Sequence, residues 1–212
     1  ITHDGRQSGI QLAMSPLGAR ALLGVPAGEL ASLDVEGAAV LGPLAAEISE
    51  RLQDAADWPQ RFAILDQLLM VRAGAGAAAG AAPPGAGPGI SREVRYAWQA
   101  LLRSGGRNGV AQLAADTGWS DRHLRAKFRM EIGLTPKAAA RVIRFDRARR
   151  RLAGRVGAGG APDLAGLAAD AGYYDQAHLD REFAALAGCA PTAWLAGEFR
   201  SVQAAPGAPL AG

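Results

Sequence analysis

Apolar positions along most of the chain recur at intervals of three and four, the spacing that gathers them on one face of an α-helix. The start differs. Ile10, Leu12 and Met14 alternate with smaller or polar residues and predict a short strand over residues 9–14. Ser15 and Pro16 then supply a cap and a first-turn proline for a short helix that Gly24 ends. Val40, Leu41, Leu44 and Ile48 predict a helix over 38–54, and Phe62, Leu65, Leu69 and Met70 a second over 58–72. Asp57 is placed to cap the second, with Pro59 in its first turn. The two are expected to form an antiparallel hairpin. A single strand cannot stand alone, so residues 1–72 read as the helical end of a larger domain of α+β class, whose earlier strands would lie upstream.

Residues 73–89, AGAGAAAGAAPPGAGPG, break the pattern. They carry no charge and no large side chain, and are expected to form a flexible linker. Seventeen such residues span roughly 20–25 Å as a loose coil. Everything from 90 to 203 reads as helix, and residues 204–212 as a disordered tail. Ser91 caps a helix that carries Val94, Ala97, Trp98 and Leu101 on one face and stops at Gly105 and Gly106.

Within this second half the sequence repeats. Residues 113–136, LAADTGWSDRHLRAKFRMEIGLTP, match 167–191, LAADAGYYDQAHLDREFAALAGCAP, with one extra residue placed just before the His of the second copy. Each copy has the logic of a helix-turn-helix. A short helix presents Leu and a small Ala, and Gly118 or Gly172 supplies the positive φ of a tight turn. Ser120 or Asp175 caps the next helix. In that helix Leu124/Phe128 and Leu179/Phe183 are i,i+4 pairs that bury one face.

Stepping 100° per residue from Leu124 puts Arg122, Arg125, Ala126 and Arg129 on the opposite, outward face. Guanidinium groups projecting from one helix face suit a major groove, where they pair with guanine O6/N7 or hold phosphates. In the second copy the outward positions hold Gln176, Ala177, Asp180 and Arg181. Gln reads adenine, Asp accepts from cytosine N4, and Arg reaches guanine or phosphate. Between the copies, residues 136–154 predict a long helix with Val142, Ile143, Phe145 and Leu152 to bury and many arginines. It would space two recognition helices for successive major grooves, about 34 Å apart.

Charge sharpens this picture. The net +3 divides into −4 over residues 1–91 and +7 over 92–203. Residues 107–155 alone carry +9, whereas 163–200 carry −4. Affinity for a polyanion needs positive groups near phosphates, so the first copy is expected to carry most of the grip.

GYYDQAHLDREFAALAGCAP, together with the first copy and RFDRARRRL, resembles the signature of the AraC/XylS family of bacterial transcription regulators. The likeness covers about 110 residues. It implies a seven-helix domain with two helix-turn-helix units on one long helix, sequence-specific promoter binding, and activation through RNA polymerase. By position it puts base reading on Arg122, Arg125, Ala126, Gln176, Ala177 and Arg181, and a phosphate contact on Arg129. Ala190 stands where that family usually has a Ser or Thr cap, and Ala126 offers only a methyl group to thymine. Residues before the linker resemble the tail of sensor domains in actinobacterial members, which implies an upstream β-rich ligand-sensing domain, an N-terminally incomplete chain and a small-molecule effector; a homodimer is compatible with the sequence, which leaves the oligomeric state open.

Other chemistry finds little support. The chain has one cysteine, Cys189, and three histidines. An alkyl-transferase role for Cys189 would need a catalytic setting that the sequence does not offer, and its expected role is a buried small side chain. His123 and His178 lack partners at metal-ligand spacing. No enzyme activity, catalytic residue, cofactor or metal is expected. A protein-interaction module that has lost DNA binding is the remaining alternative, favoured by the acidic second copy and opposed by the arginine face of the first. With a single cysteine and no membrane span, the expected place is the cytoplasm.

Overall fold

The computed structural model describes residues 9–30, 34–78 and 89–203. No strand occurs among the described residues, and the fold is mainly helical. The helices are α1 (Pro16–Leu23), α2 (Gly37–Leu41), α3 (Pro43–Asp54), α4 (Trp58–Ala78), α5 (Arg92–Ser104) and α6 (Val110–Thr117). They continue with α7 (Asp121–Ile132), α8 (Pro136–Gly157), α9 (Leu164–Ala171), α10 (Gln176–Ala187) and α11 (Pro191–Gln203).

Three expectations are corrected. Residues 9–14 form no strand, and Leu12 and Met14 are exposed. With no second strand among the described residues, their backbone groups have no ladder to join. The single helix expected over 38–54 is two, because Gly42 takes φ 60 and ψ −137 ahead of Pro43. A proline cannot donate to the preceding turn and pushes the residue before it out of the helical region. The expected linker begins inside a helix, since α4 continues past Arg72 to Ala78. Residues 79–88 and the expected tail at 204–212 lie outside the described residues.

The chain divides into two compact units. The first comprises Ile1–Arg95 and Arg125–Leu134. In it α1 and α3 each pack on α4. The Arg61 guanidinium donates to the carbonyls of Leu52 (3.0 Å) and Ala55 (2.8 Å), which satisfies acceptors left open at the end of α3. Arg72 does the same for Leu22 at the end of α1 (3.1 Å). Leu65 and Leu68 of α4 are buried, while Phe62 and Met70, expected inward, are 52% and 73% exposed. Backbone bonds draw the later segment into this unit. The Gly28 N–H donates to the Met130 carbonyl (3.2 Å), and the Ser91 N–H (2.8 Å) and hydroxyl (3.1 Å) donate to Glu131. A side chain at Gly28 would overlap the Arg129 and Met130 carbonyls, so the close approach requires glycine.

The second unit comprises Tyr96–Leu124 and Thr135–Gly212. Helix α8 starts at Pro136, with the Thr135 hydroxyl accepting from the Ala138 N–H (3.2 Å). It packs against α9, α10 and α11. Ala148 and Leu152 of α8, Leu167, Ala168 and Ala171 of α9, and Leu179 and Phe183 of α10 share one buried core. The small alanines let the helices approach closely, and each large side chain contributes about 1.5–3 kcal/mol by burial. Phe183 takes the edges of Phe145 (4.9 Å) and Trp194 (6.0 Å). Val142, expected to be buried, is 42% exposed; Ala139 and Ala140 do that burying instead.

Candidate nucleic-acid interface

Both copies of the repeat enter and leave the turn in the same way. In the first, α6 ends at Gly118 (φ 69), and the Trp119 N–H returns to the Ala114 carbonyl (3.0 Å). In the second, α9 ends at Gly172 (φ 84), and the Tyr173 N–H returns to the Ala168 carbonyl (2.9 Å). Ser120 and Asp175 then accept from the N–H groups of His123 (3.3 Å) and His178 (2.7 Å), the N-cap geometry of α7 and α10. The aromatic after each glycine meets the histidine edge-on, Trp119 with His123 at 4.5 Å and Tyr173 with His178 at 5.2 Å. These histidines therefore pack the turn. Among the described residues no group of three His, Cys, Asp or Glu is set to hold a metal ion.

The matching caps relocate the extra residue of the second copy. Since Asp175 matches Ser120 and His178 matches His123, the insertion is Tyr174 in the turn, not a residue beside the His. Gln176 then matches Asp121, Ala177 matches Arg122, Asp180 matches Arg125, and Arg181 matches Ala126.

The faces of α7 separate as expected. Leu124 and Phe128 are fully buried and Ile132 nearly so, while Arg122, Arg125, Ala126 and Arg129 are exposed. On α10, Leu179 and Phe183 are fully buried and Gln176, Ala177 and Arg181 exposed. Asp180 departs from this arrangement. It is half-buried, and its Oδ1 is shut off from solvent without a hydrogen-bond partner, so the structure does not present it fully on the outer face. Cys189 is half-buried and free, where a buried side chain was expected.

The arginines of α8 act largely within the protein. Arg141 holds Glu182 of α10 by its Nε (3.1 and 3.0 Å) and its guanidinium end (3.0 Å). Arg144 donates to the Gly106 carbonyl (2.9 Å), and Arg147 lies over Gly105. Arg149 and Arg150 both pair with Asp146 (2.7 and 2.8 Å). Three more contacts converge on the end of α9. Arg107 (2.6 Å) and Arg151 (3.0 Å) donate to the Asp170 carbonyl, and Arg155 pairs with its carboxylate (2.8 Å). Cations at a helix C-terminus also meet the negative end of its dipole. Much of the positive charge in this stretch is thus committed to joining helices, and α7 carries the exposed arginine face.

Glu182 shapes its surroundings electrostatically. Its hydrogen bond and its charge hold the Arg141 guanidinium above its usual range. Burial, and then the Glu182 charge, push the Tyr173 phenol up to about 12. Sequence reasoning missed the Arg141–Glu182 pair and the cluster on Asp170. The signal available was the i,i+4 spacing of Arg151 and Arg155 on one helix face.

Residues 93–197 match the model of a family described as a helix-turn-helix domain. The match supports an AraC-type DNA-binding domain over these residues, and with it a DNA-binding transcription regulator. No curated protein and no solved structure matches the chain. No helix among the described residues is long and apolar enough to cross a membrane.

Proposed function

We propose that the chain is a sequence-specific regulator of the activator kind that reads adjacent major grooves of double-stranded DNA with α7 and α10. The observation that carries this reading is the exposed row of Arg122, Arg125, Ala126 and Arg129, set opposite the buried Leu124, Phe128 and Ile132 on a capped helix that follows a glycine turn. In this reading α5 to α11 are the seven helices of one DNA-binding domain over residues 90–203, with residues 1–72 as part of a sensor domain. Arg122 and Arg125 read bases, Arg129 holds phosphate, and Ala126 meets a thymine methyl group. On α10, Gln176, Ala177 and Arg181 complete the read, with Asp180 in a lesser role.

A cavity of about 380 Å³ within the first unit, lined in part by Arg20, Val25, Pro26, Ile90, Lys127 and Met130, supports a small-molecule effector. The exposed Trp58, Phe62 and Met70 of α4 support a homodimer through that unit. RNA polymerase is the further partner that activation requires, and a cytoplasmic place follows from that role.

The test is selection of binding sites from random duplexes by the full chain. Replacing Arg125 with Ala should weaken binding to the selected site by about 1–3 kcal/mol and relax preference at one base pair. Unchanged affinity and unchanged preference in that variant would remove the assigned pose, and failure to select any site would remove the function.

A further inference from the structure

Tyr174 is the residue by which the second helix-turn-helix exceeds the first, and it is 93% exposed. Among the described side chains the next most exposed large hydrophobic, Met70, stands at 73%. Leaving an aromatic ring in water forgoes the burial that such side chains usually find. Its backbone is nonetheless held. Tyr173 before it is buried and donates to Ala168, Asp175 after it caps α10, and the Tyr174 N–H itself points at His178 Nδ1 (3.5 Å). A fixed backbone thus presents an unpartnered phenol one residue ahead of the cap of a recognition helix.

We propose that Tyr174 is a DNA-backbone contact of the second helix-turn-helix, its phenol O–H donating to a phosphate at the edge of the groove that α10 enters. This rests on the DNA-binding reading above. The first residues of a recognition helix are those that reach base edges, so the residue just before them faces the flanking sugar-phosphate chain. The electrostatics favour a phenol there. Residues 163–200 carry a net charge of −4, and Arg181 is the exposed cation on α10. A phenol brings a donor to a phosphate without needing a positive charge. The first copy has no residue at this point of its shorter turn, and its α7 offers exposed arginines instead.

The test uses the full chain and the duplex selected as above, with Tyr174→Phe, Tyr174→Ala and Arg129→Ala compared at several salt concentrations. Tyr174→Phe keeps the ring and removes the donor, and should lose about tenfold in affinity, as for a hydrogen bond to a charged acceptor. Tyr174→Ala should lose at least as much. Neither should change the slope of log K against log salt, because a neutral contact releases no counterion, whereas Arg129→Ala should reduce that slope by about one. Backbone footprinting should show protection lost at the α10 half-site and kept at the α7 half-site. Wild-type affinity in both Tyr174 variants would overturn the proposal, as would a loss spread evenly over both half-sites. A wild-type chain that selects no duplex would overturn the functional reading and this contact with it.

Discussion

The link between α8 and α10 allows a prediction with a sign as well as a size. Arg141 and Glu182 meet through contacts of 3.0–3.1 Å, but their environments differ: the Glu182 side chain is 12% exposed and that of Arg141 is 40% exposed. Two unit charges at about 4 Å attract by about 4 kcal/mol at an effective dielectric of about 20. Most of that is offset by desolvation of the carboxylate and by solvent reaching the guanidinium, which leaves a coupling of about 1–2 kcal/mol. The two single replacements should therefore be unequal. Arg141→Met strands a mostly buried carboxylate and should cost about 2–3 kcal/mol, while Glu182→Gln leaves an arginine that water can reach and should cost about 1 kcal/mol. Urea denaturation of both single variants and the double variant gives the costs and the coupling in one cycle. The reasoning fails if Glu182→Gln costs as much as Arg141→Met, or if the coupling falls below about 0.3 kcal/mol.

Two further predictions concern backbone and pH. Gly118 and Gly106 both take positive φ (69 and 78), but an added methyl at Gly118 meets nothing while one at Gly106 overlaps the Ala140 carbonyl. Gly118→Ala should cost about 1–2 kcal/mol of strain alone, and Gly106→Ala clearly more; equal denaturation midpoints would show that the overlap is relieved without cost. Tyr173 is protonated more tightly in the fold than in the unfolded chain, its phenol standing at about 12 against an ordinary value of about 10. Below pH about 10 its contribution is fully present, and between about 10 and 12 the unfolded state binds fewer protons, so stability falls by about 2–3 kcal/mol in all. Tyr173→Phe should remove that part of the alkaline loss, and an unchanged alkaline profile would count against the assignment.

Much of this was legible because it is local. The turn glycines, the caps at Ser15, Asp57, Ser120, Thr135 and Asp175, and the buried pairs Leu124/Phe128 and Leu179/Phe183 each follow from a residue and its near neighbours. So does the outward row on α7, since a 100° step fixes it once the core side is known. What escaped depends on partners far away in sequence. Asp180 looked outward by angle alone, yet one of its oxygens is closed off. The number of arginines on α8 was plain from the sequence but their partners were not, since Arg144 and Arg151 donate to carbonyls 38 and 19 residues away. The placement of the extra residue in the second copy also needed the structure. Aligning letters favoured the region of the His, whereas the cap hydrogen bonds put the insertion in the turn.

The Asp that closes each LAAD sequence now has two careers. Asp116 stays near home, accepting from Gln112 (2.6 Å) on its own helix and from Tyr96 (3.3 Å). Asp170, its counterpart, is where Arg107, Arg151 and Arg155 meet. A duplicated motif invites the idea of interchangeable cassettes, to be cut out and swapped for new specificity. Here the second cassette is soldered to the long helix and to the loop ahead of the first. Transplanting α9 and α10 into another frame would need three arginines from outside the repeat to travel with them. Retargeting by exchange of outward residues on α7 and α10 leaves those joints in place.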